Sequence, residues 1–296
     1  RVMTTVGVSA RRHARNPWQT AWRRLSRNGT AVAGFVLLTA ILVACFSAPL
    51  FFDYQRDVVG VNIAQRLQFP AEGKPLGTDE LGRNLLARIL WGGRTSLAVG
   101  FGAVLLASSA AMIIGTAAAY YGGRTDSLLM RALDVLLAIP AMLLMITFVA
   151  IMAPTQTNLM LAISVSFVPS MARLVRAQVL SVKDLEYVAA VRAQGAGDLR
   201  VLLLHVLPNA IGPVIASFVM YIPGGIMTIS GLGFIGLGVQ PPTPEWGSML
   251  ASGRAFIRDA WHITTLPGLA IVLTIIALTL VGDGLRDAID SRMSDQ

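Results

Sequence analysis

The residues best arranged to do something specific lie between Glu186 and Pro213, in the run EYVAAVRAQGAGDLRVLLLHVLPNAIGP. Four alanines (Ala189, Ala190, Ala193 and Ala196) surround Gly195, and Pro208 follows thirteen positions beyond that glycine. Small side chains allow another surface to come close, and a glycine allows a turn at which a Cβ would clash. The chemistry this implies is docking by shape rather than bond making. Asp198 and Arg200 are left to supply charges at the rim, each worth about 0–1 kcal/mol when exposed.

Bond-making constellations are missing from the sequence. There is no Gly-x-x-x-x-Gly-Lys-Ser/Thr phosphate loop and no His-Glu-x-x-His pair. The three histidines, His13, His205 and His262, fall on separate segments, and the single cysteine, Cys45, has no second thiol to pair with. The chain is therefore expected to be neither an enzyme nor the holder of a cofactor or metal. Ionisable groups deep inside spans mark ion and proton paths, and here they stay at the edges. Arg131 and Asp134, three apart on one helix face, are expected to pair at the cytoplasmic edge, and Asp283 and Arg286 repeat that spacing. A gradient-driven carrier or channel is thus disfavoured, and the energy source is expected outside the chain.

The elements that must position the docking segment are membrane helices. Hydrophobic residues make up 54% of the 296 positions and charged ones 14%, with a mean hydropathy of +0.64. A soluble domain carries about 25% charged residues. Uncharged windows run 28–52, 95–123, 135–172, 201–244 and 260–282. A spanning helix needs about 20 apolar residues, so 135–172 must hold two, broken at the turn-rich run Ala153-Pro154-Thr155-Gln156-Thr157-Asn158. The pattern predicts an all-α integral membrane protein of six transmembrane helices near 31–51, 96–120, 128–152, 158–178, 210–232 and 264–283.

Orientation follows from the positive-inside bias. Placing both termini in the cytoplasm puts 16 Arg and Lys residues inside and eight outside. The formal net charge of +8 is then topological, and nucleic acid is not an expected partner. Residues 1–21 form a basic cytoplasmic tail, 53–94 a first outer loop folded as a cap, 179–208 a cytoplasmic loop carrying the docking segment, and 238–262 a second outer loop. Leu42-Val43-Ala44-Cys45 mimics a lipoprotein cleavage box, but apolar sequence continues to Phe52, longer than a secretory core of about 7–15 residues. Cys45 is expected to face lipid or another helix.

In the fifth predicted helix Pro208, Pro213 and Pro223, with Gly224 and Gly225, fit either a bent helix lining a path or a kinked packing helix. Gly231-Leu232-Gly233-Phe234-Ile235-Gly236-Leu237-Gly238 has the small-residue rhythm of close helix packing. Beyond it, three prolines stiffen Gln240-Pro241-Pro242-Thr243-Pro244-Glu245-Trp246-Gly247, where Trp246 suits an interface anchor or a contact with a delivery partner.

From Trp22 to Arg292 the chain resembles the C-type membrane subunit of bacterial dipeptide/oligopeptide ABC importers. The motifs that carry the resemblance occur in order: Pro75-Leu76-Gly77-Thr78-Asp79-Glu80-Leu81-Gly82-Arg83, Tyr121-Gly122-Gly123, Ala172-Arg173-Leu174-Val175-Arg176, the glycine run 231–238, Pro241 to Gly247, and Gly282-Asp283-Gly284-Leu285-Arg286-Asp287-Ala288. The resemblance implies a type I ABC importer-like transmembrane domain in the bacterial inner membrane. It makes Glu186, Ala189, Ala190, Val191, Arg192, Gly195, Asp198, Leu207 and Pro208 the ATPase-coupling residues. The family glutamate of the Glu-Ala-Ala triplet is replaced by Ala189, with Glu186 one helical turn earlier. Asp79, Arg83, Glu245 and Trp246 become candidate contacts for an extracytoplasmic binding protein. The resemblance also implies a B-type permease partner and two ATPase subunits, or a fused pair, that hold ATP and Mg. Related systems import dipeptides, longer peptides, glutathione, nickel or haem, and the binding protein largely selects among them. Export by a related machine is a further alternative, which neighbouring genes would decide.

Overall fold

A computed structural model describes residues 25–293, with side chains described through Ile289; the expected basic tail, 1–21, lies outside the described residues. Asn28 opens the first helix, α1 (Gly29–Phe51), its side chain accepting the N–H groups of Thr30 and Ala31. The chain then forms a cap, including a wide turn at Tyr54–Val59 and a short turn at Ile63–Gln65. Asn84 caps α2 (Leu85–Tyr121), a helix of 37 residues and so about 55 Å long. Next come α3 (Gly123–Leu137), α4 (Ala141–Met152) and α5 (Gln156–Lys183). Two short helices, α6 (Glu186–Ala193) and α7 (Asp198–Val201), lead through a wide turn at Leu202–Val206 into α8 (Leu207–Phe234). The last elements are α9 (Trp246–Gly253) and α10 (His262–Met293).

Five of these helices are long and apolar enough to cross a membrane, and the α3–α4 pair makes a sixth only if it is one broken span. Here the structure corrects the expected helix at 128–152. The two halves meet at 84°, because Pro140 disfavours helical conformation in the residue before it and removes a backbone donor. Helix α3 is amphipathic and charged, and α4 has 12 residues, or about 18 Å against a hydrocarbon core of about 30 Å. The expected pair Arg131–Asp134 is also replaced: Asp134 meets Arg173 of α5, while Asp126 binds Arg176 of α5 through two contacts of 2.5 Å. Charge on α3 thus fastens it to α5 rather than closing pairs within α3.

One boundary moves. The expected outer loop 53–94 ends at Asn84, because α2 begins eleven residues before the predicted start at position 96. It can carry Arg88 inside a helix because Asp79 of the cap pairs with that guanidinium at 3.0 Å. The second outer loop likewise contains a helix, α9.

Helix α2 packs most extensively against α5. Ala103, Ala107 and Ala111 keep the α2 face low, and Ser164 Oγ donates to the Ala103 carbonyl at 2.9 Å. Helix α1 lies against α10 and α2. Its Cys45 is buried rather than lipid-facing and, with Trp246, encloses Gly93, where an added Cβ would come within 2.4 Å of the Cys45 sulfur.

Candidate functional site

The docking segment is assembled from its helix ends. Helix α6 stops in a Schellman arrangement: the Gly195 N–H donates to the Arg192 carbonyl at 2.9 Å and the Ala196 N–H to the Val191 carbonyl at 3.4 Å. The arrangement requires a left-handed residue, and Gly195 has φ +84. Nothing lies within 4 Å of the Cβ it lacks, so the glycine serves backbone conformation and not space. Further on, Pro208 has no N–H to offer the Leu204 carbonyl, and the chain takes its wide turn immediately before it. The adjoining His205 carbonyl accepts Asn209 Nδ2 at 2.7 Å and the Tyr187 hydroxyl at 3.2 Å.

Apolar pegs hold this segment to the bundle. Val188, Val201 and Val206 are fully buried and share a core with Ala119 and Tyr120 of α2, Val175 and Val179 of α5, and Val214 of α8. The opposite side stays open. Glu186, Ala189, Ala190, Arg192, Gly195, Asp198 and Pro208 are exposed, while Val191 and Leu207 are half-buried. Leu199, Leu203 and Leu204 are exposed beside them.

Two contacts tie the segment to the end of α2, and a third ties the end of α5 to it. The Tyr120 hydroxyl is shared between the Asp198 carboxylate Oδ1, at 2.8 Å, and the Asp198 carbonyl, at 2.9 Å. Lys183 Nζ, at the end of α5, donates to the carbonyls of Ala119 and Tyr120 at 2.9 and 2.8 Å, which are among the orphan acceptors of the last turn of α2. The Arg192 guanidinium stands 5.3 Å from the Tyr120 ring centre. Asp198 is therefore not a free rim charge. Tyr120 and Lys183 escaped sequence reasoning, since an interfacial tyrosine and a lone basic residue at a helix end look like ordinary membrane anchors. The one available signal is that Lys183 is one of only two lysines among 24 basic residues.

The outer residues singled out in the sequence come together in two clusters, both turned inward. Asp79 accepts a hydrogen bond from Arg83 Nε at 2.6 Å and forms an ion pair with Arg88, whose Nε stands 3.0 Å away, and Arg83 also reaches Glu80 at 2.9 Å. Asp79, Arg83 and Arg88 are all nearly inaccessible. Glu245 is fully buried and caps α9, taking the N–H groups of Gly247 and Ser248, each at 2.8 Å, and the Ser96 hydroxyl at 3.0 Å. Burial pushes its carboxyl up from the ordinary range, against the pull of those three donors. Trp246 is 1% exposed and donates from its ring N–H to the Ile89 carbonyl at 2.8 Å. All four side chains expected to touch a binding protein are buried in the fold.

A lateral, almost wholly apolar cavity of about 320 Å³ opens between α2 and α8, lined by Phe101, Val104, Leu105, Ile215, Phe218 and Ile222 among others. No group of metal-ligating side chains is present among the described residues.

A multi-helix membrane bundle with a docking segment on one end is the architecture of a transport permease. Residues 110–295 match the family model described as binding-protein-dependent transport system inner membrane component, and 16–70 match the N-terminal TM domain of oligopeptide transport permease C. The chain belongs to this permease family and is a multi-pass inner-membrane protein, a transport component rather than a catalyst. It is 39% identical over 94% of its length to the dipeptide transport system permease protein DppC of Alkalihalophilus pseudofirmus, covering 91% of that protein. It is 38% identical over 95% of its length to the di/tripeptide transport system permease protein DppC of Pseudomonas aeruginosa, covering 94% of it. The glutathione transport system permease protein GsiD of Pectobacterium atrosepticum is 39% identical, with 99% of this chain and 97% of that protein aligned. The crystal structure of an amino acid ABC transporter with histidines shares the fold, at TM-score 0.55 and 12% identity, over 68% of this chain and 93% of that one.

Proposed function

We propose that this chain is the C-type permease subunit of an ATP-driven importer of short peptides, with both termini cytoplasmic. It forms one half of the translocation path beside a B-type permease. Two ATPase subunits, or a fused pair, bind ATP and Mg and dock on residues 186–208, and an extracytoplasmic binding protein delivers the substrate. The relatives named for dipeptides, tripeptides and glutathione support the peptide class. The observation that carries the coupling assignment is the segment itself, pegged to the bundle by Val188, Val201 and Val206 while its small and apolar residues stay uncovered. The cavity between α2 and α8 fits a half-path that a second subunit completes.

The test is reconstitution in proteoliposomes. The complete set of subunits should take up radiolabelled dialanine only with ATP and binding protein, and this chain alone should take up none under ATP, a proton gradient or a sodium gradient. Gly195→Val should reach the membrane but uncouple hydrolysis from uptake or release the ATPase. Gradient-driven uptake by the lone chain would restore a carrier, and native transport by Gly195→Val would make the loop a passive connector.

A further inference from the structure

We infer that Tyr120 is a positioning residue, the hitch through which movement of the docking segment is passed to α2. The inference rests on 186–208 being the ATPase-coupling segment. Tyr120 closes the cytoplasmic end of α2 and is 5% exposed. Its hydroxyl is the donor of the Asp198 contacts, so α7 is fastened to α2 by a directional bond to a carboxylate. Its ring faces Arg192, which belongs to α6, and its own carbonyl is held by Lys183, which ends α5. Three elements around the docking segment thus converge on one residue.

What makes the convergence mechanical is the element that carries it. Helix α2 has no proline between Leu85 and Tyr121, the usual cause of a sharp kink. Twenty-four residues before Tyr120, Ser96 donates to Glu245 and accepts the Trp246 N–H at 3.2 Å. That is about 36 Å along a continuous helix. A displacement of α6 and α7 therefore reaches the outer seat of α9 as a shift or rotation of one rod. The Val188 and Val201 pegs bear on the same core but set no direction, because apolar contact is non-directional.

Removing only the hydroxyl separates the hitch from the packing. In Tyr120→Phe the ring keeps its core contacts and its place beside Arg192. In the complete reconstituted transporter, Tyr120→Phe should remain assembled on gel filtration, while dialanine delivered per ATP hydrolysed falls about tenfold, the scale of one lost bond to a charged group. Asp198→Asn keeps a side-chain acceptor and should restore nearly the native ratio. Asp198→Leu, which leaves only the backbone carbonyl, should give an intermediate loss. The double variant Tyr120→Phe with Asp198→Leu should be no worse than Tyr120→Phe alone. A native ratio in Tyr120→Phe overturns the inference, as does loss of assembly with delivery and hydrolysis falling together. If Gly195→Val uncouples while Tyr120→Phe does not, only the hitch fails. If Gly195→Val is native as well, the coupling segment itself has been misassigned.

Discussion

The Ser96 hydroxyl and the Glu245 carboxylate, 149 positions apart in the chain, meet at 3.0 Å in a buried seat where α2 receives the start of α9. The seat is built from backbone donors as much as from side chains: Glu245 stops α9 from presenting two unpaired N–H groups to an apolar surround. A carboxylate there is stabilised by direction and penalised by burial, and burial prevails.

That balance gives stability a slope with pH. The Glu245 carboxyl binds its proton more tightly in the folded protein than in the unfolded chain, where its value is ordinary, 4.5. The folded state therefore holds more protons as pH rises from that value through the folded one, and stability is lost across the window. It is fully present below 4.5. Thermal unfolding in detergent, followed from about pH 4 to about pH 8, should show a decline that is shallower in Glu245→Gln. Identical slopes would exclude Glu245 as the cause.

Trp246→Ala should destabilise the protein by about 3–5 kcal/mol, the range for truncating a buried tryptophan. It should lower ATPase stimulation and basal ATPase together, because Trp246 is 1% exposed and enclosed by Cys45, Gly93 and Ile89. Trp246→Phe keeps most of the volume and should lose less. Selective loss of stimulation by the binding protein, with native melting, would return Trp246 to the surface role its proline-rich loop suggests.

Asp79→Ala should cost about 3–5 kcal/mol, because it strips buried Arg88 of its ion-pair partner and leaves Arg83 with Glu80 alone. In the adjoining Arg56–Asp57 pair Arg56 is 77% exposed, and Arg56→Ala should leave the melting temperature nearly unchanged. Detergent melting of both variants tests the contrast, and similar losses would mean the cap is not organised around Asp79.

The long apolar helices and the glycine turn at position 195 were legible in the sequence because each rests on local physics: uninterrupted apolar runs, and a residue without Cβ thirteen places before a proline. What local pattern could not supply was pairing across the fold. Arg88 and Arg94 made α2 look as if it began at position 96, since nothing nearby in sequence shows that Asp79 folds back to meet Arg88. Arg131 and Asp134 looked like partners at helical spacing, yet Asp134 turns to Arg173 on α5. Trp246 and Glu245 looked like surface groups in a loop stiffened by prolines, whereas the loop folds them under. Tyr120 became visible as part of the site only through Asp198, 78 positions away.

A cysteine placed at Gly197, which begins α7 as its exposed cap residue, tests orientation. Membrane-impermeant maleimide should leave it unlabelled in intact spheroplasts and label it once the membrane is opened. Labelling in intact spheroplasts would invert the topology, place the docking segment outside and remove the basis for ATPase coupling.

The last prediction grades Gly195. Its φ of +84 is open to glycine, tolerable for asparagine, costly for alanine and most costly for a β-branched residue. Nothing of this chain lies within 4 Å of a Cβ at this place, so within the fold it is backbone strain that separates the substitutions. Coupling in the reconstituted transporter should therefore decline in the order Gly195→Asn, Gly195→Ala, Gly195→Val. Strain of about 1–3 kcal/mol would be relieved by unwinding the end of α6, which would break the Ala196 and Gly195 bonds to Val191 and Arg192. Hydrogen exchange at those two amides should quicken in the same order as coupling is lost. An order that follows side-chain volume, with Gly195→Asn worse than Gly195→Ala, would instead mean that the glycine leaves room for the ATPase, and its role would be close approach rather than the turn.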